Sequence, residues 1–171
     1  MALPSIVLNF SADKLGELCG RIETCVDSLT PEQIWLRGAD NVNAIGNLML
    51  HLSGNVRQWI LHGVGGAPDV RVRDLEFTTR GQIDREELKR RLRSTVEEAC
   101  GVLRAAPAER LEERRVIQGY DVTVAEAIMH VVEHFSQHTG QIIFVTKLLR
   151  GEDLGFYAHL NAGKGHSQGM P

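Results

Sequence analysis

Apolar residues recur every three or four positions along most of the chain, and each such run predicts a helix. Leu15, Leu18, Cys19, Ile22, Cys25, Val26 and Leu29 make one stripe on a helix over residues 12–29, with Ser11 as its N-cap. Thr30-Pro31-Glu32-Gln33 is a second start signal: a cap, proline at the first helical position and glutamine three residues after the cap. It opens only a short turn, because Gly38 and Asn41 follow. A longer helix runs from after Asn43 to about His62 on Ile45, Leu48, Leu52, Val56, Trp59 and Ile60, and Gly63, Gly65, Gly66 and Pro68 end it. From Val64 to Gln82 no period emerges, which leaves a connection of about 20 residues, a length that is often functional inside a compact domain.

Asp84 with Glu87 reads as a capping box, and Ile83 can staple onto Leu88. The helix behind them carries Leu88, Leu92, Val96, Cys100 and Leu103 and stops before Pro107. Thr123 with Glu126 is another capping box. It starts a last helix from Val124 to about Leu149, with Ile128, Val131, Val132, Phe135, Ile142, Val145 and Leu149 inward and Gly151 at its end. Four long amphipathic helices with almost no strand signal predict an all-α four-helix bundle. It forms a single domain over residues 1–160. Leu154, Phe156, Tyr157 and Leu160 form an apolar clip, and residues 161–171 a flexible tail.

Composition narrows the function classes. Hydrophobic residues are 43% and charged residues 24% of the 171, enough apolar material for one core. A net charge of −3 offers no basic face for nucleic acid. The charge-free stretch from Asn41 to Val56 holds four Asn, a His and a Ser, so it is no membrane span. Three cysteines, an odd number, and no signal peptide before Phe10 predict reduced thiols and a cytoplasmic protein. Cys19, Cys25 and Cys100 fall on apolar stripes and read as small core residues.

Seven histidines are the unusual count, and their placement carries the chemistry. The last helix reads His130-Val-Val-Glu-His134-Phe-Ser-Gln-His138-Thr-Gly-Gln. Each step of four residues turns a helix only about 40° past a full turn, so the three rings form a column on one face. His51 sits mid-way along the other long helix between Leu48 and Leu52. Two imidazoles four residues apart can chelate one ion at Zn–N distances of about 2.0–2.1 Å, and a third ligand must come from another segment. His51 is the candidate for that role. Three imidazoles would leave positions open, the catalytic arrangement. The same spacing also suits partly buried histidines bonded to Asn, Ser and backbone groups. Glu133 precedes His134, so the His-Glu-x-x-His motif of metalloproteases is absent.

Three segments resemble the DinB-like superfamily of small bacterial metal-binding four-helix bundles: Ile45-Gly-Asn-Leu-Met-Leu-His51-Leu-Ser-Gly-Asn55, Glu133-His134-Phe-Ser-Gln-His138-Thr-Gly-Gln141, and Asp153-Leu-Gly-Phe-Tyr157. The resemblance extends from about Phe10 to Leu160. It implies an up-up-down-down bundle, with the segment Val64–Gln82 crossing between the second and third helices. It also implies a divalent metal, zinc or nickel, on His51, His134 and His138, with His130 a near neighbour of the site. Related bundles include thiol S-transferases for low-molecular-weight thiols and a maleylpyruvate isomerase. The resemblance therefore implies a metal-dependent transferase or hydrolase acting on a small molecule, with a low-molecular-weight thiol among the candidates. The alternative is a binding or interaction module whose metal is structural. The family habit and the stripe-edge residues Leu50, Ile60 and Leu61 suggest a homodimer.

Other side chains are candidates on position alone. Asn47 and Asn55 lie one turn before and after His51, and Gln141 lies three after His138. Each could orient an imidazole or touch a substrate. Trp59 reads as core, Tyr120 as turn packing, and Arg57 as a weak anion site. Lys89, Arg90, Arg91 and Arg93 read as a solvated face paired to Glu86, Glu87, Glu97 and Glu98. His159 and His166 read as solvated.

Overall fold

The computed structural model describes residues 2–161, so His166 and the tail beyond Asn161 lie outside the described residues. Its long helices are α1 (Leu3–Asp27), α3 (Ile45–Val56, continued as a π-helix over Arg57–Val64), α5 (Arg85–Ala105) and α6 (Val124–Arg150). Short helices α2 (Pro31–Ile34), α4 (Arg73–Thr78) and α7 (Ala158–Asn161) lie between and after them. A two-stranded hairpin, β1 (Arg114–Ile117) and β2 (Tyr120–Thr123), precedes α6.

Both α1 and α3 pack on α5 and on α6, so they stand at opposite corners of a four-helix bundle. Ion pairs fix the helix directions. Lys89–Asp27 at 2.6 Å, Arg93–Glu23 at 2.8 Å and Arg104–Asp13 at 2.7 Å run α5 antiparallel to α1. The basic cluster thus partly bridges helices, while Arg90 and Arg91 pair with Glu87 on their own helix. Residues Val7 to Lys14 flank Met129 to Ser136, and further along Cys25 lies beside Thr146, which makes α6 parallel to α1. His51 meets His134 while Trp59 meets His130, so α3 is antiparallel to α6. Around the bundle the order α6, α1, α5, α3 reads up, up, down, down; along the chain the directions are up, down, down, up. Because α3 and α5 are parallel, the chain must return the length of the bundle between them, and that is the crossover of residues 65–84.

The core is one cluster drawn from all four helices, with Leu15, Ile22, Met49, Leu52, Leu92, Leu103, Ile128 and Phe135 fully buried. The three cysteines lie in it as thiols, and burial pushes Cys19 up to about 12. Capping boxes form at Thr30–Gln33 and Thr123–Glu126. Asp84 accepts from the Glu87 amide at 2.9 Å, but the Glu87 carboxylate turns to Arg90 and Arg91 instead of completing the box. Gly151, at φ 68°, ends α6.

Several expectations need correction. Helix α1 starts nine residues earlier than its stripe predicted, at Leu3 with proline in its first turn, and Ser11 is buried within it rather than capping it. Exposed Leu3, Ile6 and Phe10 blur the period there. The patternless connection contains α4. The hairpin turns on Gln118 (φ 54°) and Gly119 (φ 83°), a primed turn without the usual Asn-Gly signal. Ile60 and Leu61 are buried, so they supply no dimer face, and Leu50 is half-buried. In a π-helix position i lies under i+5, which carries Leu61 beneath Val56 and inward. Leu154 and Phe156 pack on the core as expected of a clip, whereas Tyr157 and Leu160 stay exposed.

Candidate metal centre

Helix α3 presents His51 on its buried face, and α6 presents His134 and His138 one turn apart opposite it. His51 Nε2 and His138 Nε2 each lie 3.1 Å from His134 Nε2. Rings of the triad pack edge to face, with centroids 4.5 to 5.2 Å apart.

The outer nitrogens determine what the inner ones can do. His51 Nδ1 lies 2.8 Å from Glu76 Oε2, and His138 Nδ1 lies 2.7 Å from Gln141 Oε1. Arg71 Nη2 also lies 3.2 Å from His51 Nδ1, but it donates to Glu76 Oε2 at the shorter 2.8 Å. The carboxylate and the amide oxygen only accept, so both Nδ1 atoms donate and both Nε2 atoms turn lone pairs toward His134. His134 Nε2 has at most one proton to offer two lone pairs. Its own Nδ1 is buried without a partner among the described residues, as is Asn55 Oδ1 on the facing helix. Three converging imidazole nitrogens with too few protons are chemistry suited to a cation. Their spacing agrees, since neighbouring nitrogens on one ion at about 2.0–2.1 Å stand roughly 3 Å apart. The triad could therefore hold a divalent metal ion, and it is the group of three possible ligands with atoms within 4.8 Å of one another among the described residues.

Burial disfavours the charged form of the two ligand rings on α6. His134 is pushed down to about 3 by burial, with the nearby charges of His138, His51, His130 and Arg71 adding to it. Burial lowers His138 and His130 as well. Burial raises Glu76, but hydrogen bonds from Arg71 and His51 outweigh it, and its carboxyl lies below the ordinary value.

Glu76 and Arg71 are the site residues that the sequence did not yield. Arg71 holds Glu76 in a fork, Nε to Oε1 at 2.7 Å and Nη2 to Oε2 at 2.8 Å, and its Nη1 reaches Gln58 at 2.9 Å. Both come from the crossover, where no period marks them. The signal that existed was Gly54, one turn from His51: a Cβ there would lie 1.9 Å from Glu76 Oε1. Only glycine lets the carboxylate settle against α3. Phe77 of α4 covers the His51 ring at 4.9 Å.

The remaining candidates divide. Gln141 orients His138, as above. Asn47 is fully buried, but its amide donates to the carbonyls of Glu76 and Thr79 and accepts from the Ala44 amide, so it pins the crossover rather than touching the triad. His130 packs tilted against Trp59 with ring centroids 4.2 Å apart, and its centroid lies 5.6 Å from that of His134, outside the group of three. Trp59 is core, Tyr120 is exposed 6.4 Å from it, and His159 is exposed. Arg71, not Arg57, is the arginine beside the site.

The fold that carries this triad is the DinB-like helical bundle. A crystal structure of a DinB-like protein from Bacillus cereus ATCC 10987 is similar, with a TM-score of 0.62 and 16% identity over 80% of this chain and 88% of that chain. The chain belongs to the family described as "Protein of unknown function (DUF1572)", whose model matches residues 6–163. No curated protein matches it. No helix among the described residues is long and apolar enough to cross a membrane.

Proposed function

We propose that the protein binds one divalent metal ion through His51, His134 and His138 and acts as a metal-dependent enzyme on a small molecule. The observation that carries this reading is the convergence of three Nε2 atoms at 3.1 Å, two of them with their tautomers fixed by Glu76 and Gln141. Imidazole donors suit zinc or nickel. A divalent ion there supplies Lewis acidity, which activates water or holds an anionic donor such as a thiolate. The protein's own groups do the rest. Glu76 and Gln141 hold two imidazoles with their lone pairs inward, and Phe77 shields one ring from water. Glu76 is fully engaged by His51 and Arg71, so it orients a ring rather than serving as a general base. Thiol transfer and hydrolysis are the two reaction types such a centre supports. A catalytic role is favoured over a structural one because the core closes around Phe135, Ile128 and Leu52 without the triad.

Elemental analysis of untagged protein purified without chelators tests the ligand set. One zinc or nickel per chain is expected, lost in His134→Ala and His138→Ala and retained in His130→Ala. Equal loss in all three variants would overturn the assignment.

A further inference from the structure

Beside the triad a cleft of about 380 Å³ opens between the turn before α3 and the C-terminal half of α6. His138 and Gln141 are among its lining residues, so it borders the candidate metal centre on the side of the His138 ring that Gln141 holds. Leu48, Val145, Phe144 and Val42 continue its wall. Phe144 is 63% exposed and Val42 46%, two large apolar side chains left to water on either side of one opening. Single exposed apolar residues need no explanation, but a pair lining a cleft that ends on a ligand histidine is the composition of a small-molecule pocket. Asn41 and Asn43 supply its remaining polar atoms, and among the described residues no Asp, Glu, Lys or Arg lines it.

Charge defines the other half of the ligand. Three neutral imidazoles leave an ion's charge uncompensated. The one carboxylate bonded to the triad, Glu76, is already neutralised by the fork of Arg71. A donor group meeting the centre should therefore be anionic. The rest of the molecule should be uncharged, because the cleft offers no countercharge to a second ionic group. The volume lies near the lower end of small-molecule pockets, room for one ring or a short alkyl chain.

We propose that this cleft is the substrate subsite and that it takes the uncharged apolar body of a molecule whose anionic donor group meets the triad. This rests on the metal reading above and adds the substrate class to it. Acetohydroxamate and benzohydroxamate carry the same donor group and differ in the apolar body, so calorimetric titration of both into the zinc-loaded protein separates the two readings. Benzohydroxamate is expected to bind roughly tenfold more tightly, and neither should bind after zinc is removed. Phe144→Ala should erase most of that advantage while leaving acetohydroxamate and zinc affinity unchanged. Val42→Asp, which places a carboxylate in the cleft, should do the same. Equal affinities in the unaltered protein, or an advantage that survives both substitutions, would overturn the cleft assignment alone, whereas failure of both hydroxamates to bind a zinc-loaded chain would overturn the open metal centre on which it rests. A chain that takes up no zinc would overturn the metal reading beneath it.

Discussion

Gly54 decides whether His51 has its carboxylate. Replacing it with alanine drives a methyl group into Glu76 Oε1 and crowds Arg71 Nε, 3.1 Å from the same point. Gly54→Ala should therefore lower zinc affinity by about 10- to 100-fold, the usual effect of losing an outer partner of a ligand histidine. Competition against a chromophoric chelator measures it, and unchanged affinity would mean that Glu76 does not orient the ring. His134 gives a second expectation, for the metal-free protein. Its folded value of about 3 lies below the ordinary 6.5, so between those values the unfolded chain binds more protons than the folded one. Stability is complete above about pH 6.5 and is lost as pH falls toward 3. With chelator present, the melting temperature should fall between about pH 7 and pH 5, and His134→Leu should flatten that fall. A flat profile in the unaltered protein would contradict it. At this scale the triad was legible because its two helix-borne members obey a local spacing. Glu76 and Arg71 were not, because their meeting with His51 depends on how a segment 25 residues away folds back.

Among the elements, the crossover matters most to the site, and Asn47 fastens it to α3. Asn47→Leu keeps the volume but removes both amide donors to the Glu76 and Thr79 carbonyls, which should cost about 2 kcal/mol of stability. Urea denaturation reads that loss. Amide exchange should quicken across residues 73–79 and stay slow in α5; uniform acceleration would mean that Asn47 supports the whole bundle instead. The long helices and the capping boxes of α2 and α6 could be read from the sequence, since period and cap are local signals. The early start of α1, the π-helical turn after Val56 and the hairpin at Gln118-Gly119 could not. Each depends on tertiary packing or on a backbone conformation that the residue type does not announce.

For the whole molecule, the arrangement of helix directions places the long connection over the site. Parallel α3 and α5 require a crossover, and that crossover delivers Glu76, Arg71 and Phe77 onto the face of α3 that carries His51. The apolar core is complete without the triad, so the metal-free chain should keep its helical content and a cooperative melt. Zinc should then raise the melting temperature with concentration, as a ligand of the folded state does. Loss of cooperative unfolding on chelation would make the metal structural. The four-helix architecture was legible because hydrophobic period and length determine it. The corner that each helix occupies was not, since pairing depends on long-range ion pairs and packing.

Cobalt substitution tests most directly whether the three imidazoles form a metal centre with an open position. Titrating cobalt into the metal-free protein should give visible absorption bands that saturate at one ion per chain. Adding a small thiol should then bring up a thiolate charge-transfer band, which His134→Ala abolishes. A chain that develops no saturable cobalt spectrum, or one whose spectrum no thiol alters, would contradict a three-histidine centre open to an anionic ligand.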